Sequence, residues 1–178
     1  IALSLVGSEM CIRDRSYSLI KASNKLAMEK GACPGTEETK YGLGITPNQT
    51  YKKELDELVK HKERQNWKEL RKNLKEHGIR NSTLMALMPA ETSAQISNST
   101  NGIEPPRGYI SIKQSKHGVL KQVVPGFPYY KNKYDLLWDQ KSPQGYLKIM
   151  AVLQKYIDQG ISVNTSYNPE HFEDEKVP

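Results

Sequence analysis

A chain of 178 residues, 37% apolar and with a mean hydropathy of -0.70, can hold one domain with its own core or part of a larger core. No apolar run approaches the ~20 residues needed to cross a bilayer, and Ile1 to Val6 is too short and lacks the basic leader of a signal peptide. The net charge of +6 is uneven: residues 16–80 hold 14 basic and 9 acidic side chains, a surplus of +5. Such a surplus suits either a solvated helical face with i,i+4 pairs or a nucleic-acid surface. The two cysteines, Cys11 and Cys33, form no C-x-x-C pair, so no zinc motif is present. This usage fits a reducing compartment such as the cytoplasm.

In chain order, Ser16 to Lys30 reads as a helix with Leu19, Ile20, Leu26 and Ala27 on one face and Gly31 as its stop. Residues 31–50 are rich in Gly and Pro and read as a loop. Thr50 is placed to cap a helix to about Lys62, with Leu55, Leu58 and Val59 inward. Asn66 is placed to cap the next helix, with Trp67, Leu70 and Leu74 inward and Gly78 at its end. Thr83 to Met88 reads as a buried strand, followed by a short helix from Ala90 or Glu91 and a turn over Asn98 to Gly102.

Tyr109–Lys113 and Val119–Val124 form a predicted hairpin around Ser115-Lys116-His117-Gly118, with Ile110 and Ile112 on one side. Lys133 to Asp139 reads as a helix. Ser142-Pro143 opens a longer helix, ended by Gly160, with the stripe Tyr146, Ile149, Met150, Leu153 and Ile157. Ile161 to Thr165 alternates as a strand, and the tail from Asn168 is polar and mostly acidic. The sum is an α/β layer that does not close a barrel.

The stretch from Trp67 to Ser93 is the most informative. A strand running into a helix start leaves backbone N–H groups unpaired at one spot, with the positive end of the helix dipole beside them. That arrangement suits a phosphate. Pro89, Ala90, Glu91, Thr92 and Ser93 are therefore the candidate binding residues. The residues alone favour an ordinary helix cap without a ligand over a binding turn.

Trp67, Leu70, Gly78-Ile79-Arg80-Asn81, Met85-Ala86 and Pro89 resemble the signature of the ribonucleotide reductase large subunit. Glu91-Thr92-Ser93-Ala94-Gln95 and Asn98 to Tyr109 extend the resemblance and point to class I. Gly31-Ala32-Cys33-Pro34, Tyr51 to Leu55 and Gln154 to Gln159 carry it along the chain. The resemblance covers about Ser16 to Pro178. Ser8 to Arg15 instead looks like a translated sequencing adapter, so residues 1–15 are set apart as non-native.

The resemblance implies that residues 16–178 are the C-terminal portion of a ten-stranded α/β barrel, incomplete here. It implies reduction of ribonucleoside diphosphates by thiyl-radical chemistry, with the substrate diphosphate on Pro89–Ser93. Ala90 departs from the Ser of some members, which removes a hydroxyl but no backbone donor. The implied partners are a metal-containing small subunit that delivers the radical, thioredoxin or glutaredoxin, a second large subunit, and ATP or deoxynucleotide effectors. No membrane partner and no metal or cofactor held by this segment are implied.

The family's catalytic cysteines match segments upstream, and its radical-relay tyrosines match segments beyond Pro178. No catalytic residue is therefore assigned, and the chain alone is expected to be inactive. Cys33 reads as structural. Tyr129-Tyr130 is expected to pack at a helix entrance, and Arg107 is a weak anion candidate. His61, His77, His117 and His171 have no metal-ligand spacing. The rival reading is a basic helical nucleic-acid module resting on residues 16–80; its tyrosines are too scattered for a stacking platform.

Overall fold

The computed structural model describes residues 2–59, 63–100, 102–116 and 118–167. The chain divides into two compact units: Ile1–Ala86 with Lys148–Ile161, and Leu87–Leu147 with Ser162–Pro178.

In the first unit, α1 (Ala2–Lys30) runs without a break through residue 15, and Glu9, Ile12 and Arg13 are buried along it. Gly31, at φ +82°, ends the helix as expected, and its N–H donates to Ala27 O (2.8 Å). The buried face differs from the expected apolar stripe. Ile20 and Ala27 are buried, but so are Ser16, Ser23 and Asn24, whereas Leu19 and Leu26 are exposed.

The polar residues are inside because they grip the Gly78–Asn81 motif. Ser23 Oγ donates to Asn81 Oδ1 (2.8 Å) and accepts from Asn81 N (2.9 Å). Asn24 Nδ2 donates to Gly78 O (2.8 Å) and Asn73 O (3.2 Å), tying α1 to the end of the next helix. Asn24→Ala should therefore destabilise the protein by about 1–3 kcal/mol, the cost of stranding buried polar groups. Urea unfolding of the variant beside the parent checks this; a change within error would mean that water replaces the amide.

Helix α2 (Trp67–His77) is as expected. Asn66 Oδ1 accepts from Glu69 N (3.1 Å), Trp67, Leu70 and Leu74 are buried, and Gly78 follows at φ +68°. A Cβ at Gly78 would lie 2.7 Å from Thr36 Cγ2 and 2.9 Å from Ala32 Cβ, so both conformation and space require glycine. The core joins Ile20, Tyr41, Trp67, Leu70, Leu74 and Ile79, with Tyr17, Cys33 and Leu84 at its margin. Tyr17 meets the Trp67 ring edge-on at 5.1 Å.

The helix expected from Thr50 to about Lys62 is instead a 3-10 segment, Lys53–Glu57; residues 60–62, with His61, lie outside the described residues. Tyr51 Oη donates to the Asp56 carboxylate (2.9 and 3.0 Å), and Lys155 Nζ donates to the same group at 2.7 Å. Residues five apart stand roughly 140° apart around an α-helix, so the Tyr51–Asp56 bond favours a different winding. Val59 is buried against Val152 and Ile149, as expected of its apolar side chain, but Leu58 is exposed.

The expected buried strand Thr83–Met88 is an extended segment that is only partly covered, with Met88 64% exposed. An apolar run becomes a buried strand only with neighbours on both sides. Its backbone bonds among the described residues are few: in the first unit Gln159 N donates to Met85 O (3.0 Å), and in the second Ser162 N donates to Leu87 O (2.8 Å).

The second unit contains α3 (Glu91–Ile96), β1 (Ile110–Ser115), β2 (Gly118–Val123) and α4 (Phe127–Tyr130). The turn after α3 forms as expected, with Asn98 at φ +49° and Ser99 N donating to Ala94 O (2.9 Å). The hairpin also forms, in the antiparallel register Ile110↔Val123 to Ser115↔Gly118; His117 lies outside the described residues.

The helix expected over Lys133–Asp139 is absent. Only 3-10 turns at Lys131–Lys133 and Leu137–Asp139 form. Tyr134 donates through Oη to Pro125 O (2.7 Å) and Leu137 N donates to Pro106 O (2.9 Å), which pulls the intervening backbone straight. Tyr129 and Tyr130 do not pack at a helix entrance. They close α4 and stand 83% and 54% exposed.

Helix α5 (Gln144–Gln154) starts after Ser142, whose Oγ accepts from Gln144 N (3.3 Å), and ends six residues before Gly160. Tyr146, Met150, Leu153 and Ile157 are buried, as the stripe requires, and Ile149 is half-buried. Ile161–Thr165 is not a continuous strand; only Ile161 takes part in a bridge. The carboxylate of Glu104 accepts from both Asn164 N (2.7 Å) and Nδ2 (2.8 Å), occupying a donor that a strand partner would use. The tail from Asn168, with His171, lies outside the described residues. The described residues thus form helices and one two-stranded sheet rather than a closed barrel.

Candidate functional site

The turn from Pro89 to Ser93 lies in the second unit and leads into α3 as its sequence indicates. Ala90 is the N-cap residue, at φ −128° and ψ 47°, and no side chain caps the helix. The first bond within the helix runs from Ala94 N to Ala90 O (2.8 Å). The N–H groups of Glu91, Thr92 and Ser93 precede that bond and lack intrahelical acceptors. A Ser, Thr, Asp or Asn at the cap would normally occupy one of them, and Ala90 cannot. Thr92 and Ser93 are exposed, so their hydroxyls remain available as further donors. Pro89 contributes no N–H and fixes the entry of the chain.

A cleft of about 370 Å³ in the same unit is lined by Pro89, Gln95, Ser99, Glu104, Arg107 and Gln122, among others. Of the five candidate residues only Pro89 borders it; Ala90 to Ser93 do not. Arg107, the weaker anion candidate, is exposed on the wall of this cleft. Gln95 Nε2 reaches Gln122 Oε1 at 3.5 Å, a marginal contact that joins α3 to β2. The turn and the cleft are therefore neighbours through Pro89, not one pocket.

The other residues weighed from the sequence fall elsewhere. Cys33 is half-buried at the margin of the first unit's core, with its N–H on Ile79 O (2.8 Å) and its thiol 3.5 Å from Thr36 Oγ1. Cys11 is exposed. His77 lies 3.6 Å from the neighbouring Glu76 carboxylate on the solvated end of α2. The basic side chains of residues 16–80 include helix-surface and loop pairs, Lys25 with Glu29 (3.9 Å) and Arg71 with Glu63 (3.7 Å), as a solvated face does.

Sequence reasoning missed Asp158. Its carboxylate accepts from Leu84 N (2.8 Å), Met85 N (2.8 Å) and Tyr41 Oη (3.0 Å), all in the first unit. It thereby fixes the start of the chain segment that leads to Pro89. Its local signals were its place in the Gln154–Gln159 motif and its position directly after Ile157, the last residue of the apolar stripe, four residues beyond α5. Tyr41 is held well above the usual phenol range, first by burial and then by the charge of Asp158 and the hydrogen bond to it.

Comparison with known proteins agrees with this arrangement of motifs. The family model described as the ribonucleotide reductase barrel domain matches residues 8–130. The chain is 57% identical over 162 residues to ribonucleoside-diphosphate reductase 1 subunit alpha of Salmonella typhimurium, covering 91% of this chain and 21% of that protein. It is 56% identical over the same length to the Escherichia coli protein of that name, again 91% of this chain and 21% of the relative. The alpha subunit of Enterobacteria phage T4 is 46% identical over 164 residues, covering 91% and 22%. The chain thus spans about a fifth of the length of the curated relatives it matches. With more than half of its residues inside the family model, the chain belongs to the ribonucleotide reductase barrel-domain family.

Proposed function

We propose that residues 16–178 are a C-terminal barrel portion of a ribonucleoside-diphosphate reductase alpha subunit; the family match opens at residue 8, inside the 15-residue segment set apart from the sequence as non-native. In this reading the whole protein reduces ribonucleoside diphosphates to deoxyribonucleoside diphosphates in the cytoplasm. It takes its radical from a separate metal-containing small subunit and its electrons from thioredoxin or glutaredoxin. It pairs with a second alpha subunit and responds to ATP and deoxynucleotide effectors. The observation that carries the reading is the 57% identity sustained over 91% of the chain.

Within that protein the Pro89–Ser93 turn holds the substrate diphosphate. The uncapped helix start supports this, because Ala90 leaves the N–H groups of Glu91 to Ser93 for an anion. The six-residue α3 has a small dipole, so these donors and the Thr92 and Ser93 hydroxyls supply most of the attraction.

The test is a chimera in which residues 16–178 replace the matching segment of the Escherichia coli alpha subunit. The chimera should reduce ribonucleoside diphosphates, and residues 16–178 alone should not. In the chimera, Ala90→Asp should supply the missing cap and stabilise the helix by about 1 kcal/mol or less. It should also fill the anion site and lower kcat/KM by roughly tenfold or more, since a charged hydrogen bond contributes about 1.5–3 kcal/mol. Unchanged kcat/KM in a folded Ala90→Asp chimera would reduce the turn to an ordinary helix start.

A further inference from the structure

Residues 162–164 of the second unit form no continuous strand and are held by hydrogen bonds to three other segments. Ser162 N donates to Leu87 O (2.8 Å). Asn164 N and Nδ2 both donate to Glu104 Oε1, at 2.7 and 2.8 Å. Tyr146 Oη donates to Asn164 O. Pro89, Glu104, Ser162 and Asn164 all line the cleft beside the candidate turn.

One end of this segment bears on the turn. Leu87 stands two residues before Pro89. Met88 precedes a proline and is therefore confined to extended backbone, and Pro89 has its φ fixed by its ring. Few torsions are free between the anchored Leu87 carbonyl and Ala90. A shift at Leu87 therefore moves the N–H groups of Glu91 to Ser93 with it.

The other end is fixed by Glu104. This residue precedes Pro105-Pro106, so its own backbone is restricted in the same way, and Pro106 O is held by Leu137 N (2.9 Å). The carboxylate is thus an acceptor on a stiff loop. Tyr146 is buried. Burial first, and then the charge of Glu104, hold its phenol above the ordinary range, so it stays a donor to Asn164. Asn164 itself is exposed, so hydrogen bonds rather than burial keep it in place.

We infer that Glu104 is a positioning residue for substrate reduction: through Asn164 it holds the 162–164 segment on Leu87 and so sets the Pro89–Ser93 turn. The inference rests on the reading of that turn as the diphosphate site. Glu104 acts through the chain and not on the phosphate, which its own negative charge would repel.

The experiment measures reduction of cytidine diphosphate by the chimera that carries residues 16–178 in the Escherichia coli alpha subunit, with small subunit and thioredoxin supplied. Glu104→Ala should lower kcat/KM by about tenfold, because both Asn164 bonds are lost. Glu104→Gln keeps an accepting oxygen and should recover most of that loss. Asn164→Ala keeps its backbone N–H and should lose only about threefold. A double-mutant cycle with Ala90→Asp separates positioning from simple destabilisation. With the anion site already filled, Glu104→Ala should add less than about threefold. Equal losses in both backgrounds, equal losses for Gln and Ala, or no loss would overturn the inference. Circular dichroism checks folding, and where Glu104→Ala unfolds the chimera the cycle with Asn164→Ala decides. If Ala90→Asp alone leaves kcat/KM unchanged, the diphosphate reading fails and the inference with it. If Ala90→Asp lowers kcat/KM and Glu104→Ala does not, the inference alone fails.

Discussion

Replacing Asp158 with Ala should destabilise the first unit by about 3–5 kcal/mol, a large share of the 5–15 kcal/mol that holds an ordinary domain folded. Three donors lose their acceptor at once: Leu84 N, Met85 N and Tyr41 Oη. A hydrogen bond to a charged group contributes about 1.5–3 kcal/mol, and bonds sharing one carboxylate add less than their sum. Tyr41 is 6% exposed, so its hydroxyl gains little water in return. Asp158→Asn should cost less, about 2–3 kcal/mol, because one oxygen still accepts while the amide faces an N–H or O–H donor. Urea unfolding of the full chain separates the two variants by midpoint. Near-equal and small losses for both would show that the carboxylate only decorates a segment positioned by Gln159 N on Met85 O. The ordering Ala worse than Asn worse than Asp is what a clamp requires.

Asp158 also shows where sequence reading stops. Helix α2 was legible because its determinants are local: an Asn cap, a stripe at helical spacing and a glycine that alone tolerates φ +68°. The hairpin was legible for the same reason, with alternation on both sides of a short polar turn. The uncapped start of α3 could be placed from Pro89 and the hydroxyl residues after it.

Elements decided by distant partners were not legible. Around the 3-10 segment Lys53–Glu57, Asp56 is held by Tyr51 nearby and also by Lys155, 99 residues further on, and the second partner cannot be read locally. The buried face of α1 includes Ser23 and Asn24 because their partners are Gly78 and Asn81, not because of any apolar period. The Thr83–Met88 run has the composition of a core strand, but burial is a property of its neighbours, and the chain spans only about a fifth of its relatives. The candidate turn could be located from sequence, whereas the cleft bordering it could not. That cleft is assembled from Gln95, Arg107 and Gln122, residues with no common pattern.

Alkaline pH should unfold the first unit steeply. Tyr41 and Tyr156 are both buried and hydrogen-bonded to carboxylates, Asp158 and Glu9 respectively. Burial is the largest influence on each, reinforced for Tyr41 by the charge of Asp158 and for Tyr156 by the hydrogen bond to Glu9. Both phenols are thus held far above their ordinary value of about 10. The folded state keeps its protons where the unfolded state gives them up. The stability contributed by these protons is complete below about pH 10 and is lost as pH rises beyond it. Each phenol costs about 1.4 kcal/mol per pH unit in that range, so two cost about 2.7, or roughly 5 kcal/mol between pH 10 and 12. That loss equals the whole stability of a marginal domain. Urea midpoints measured from about pH 9 to 12 should fall with this slope, and tyrosinate absorbance from the Tyr41 and Tyr156 rings should appear only as the first unit unfolds. Tyr41→Phe removes one titrating group and should halve the slope while leaving the ring in the core. A slope unchanged by Tyr41→Phe, or full tyrosinate absorbance from all ten tyrosines in a still-folded chain, would show that these phenols ionise in place.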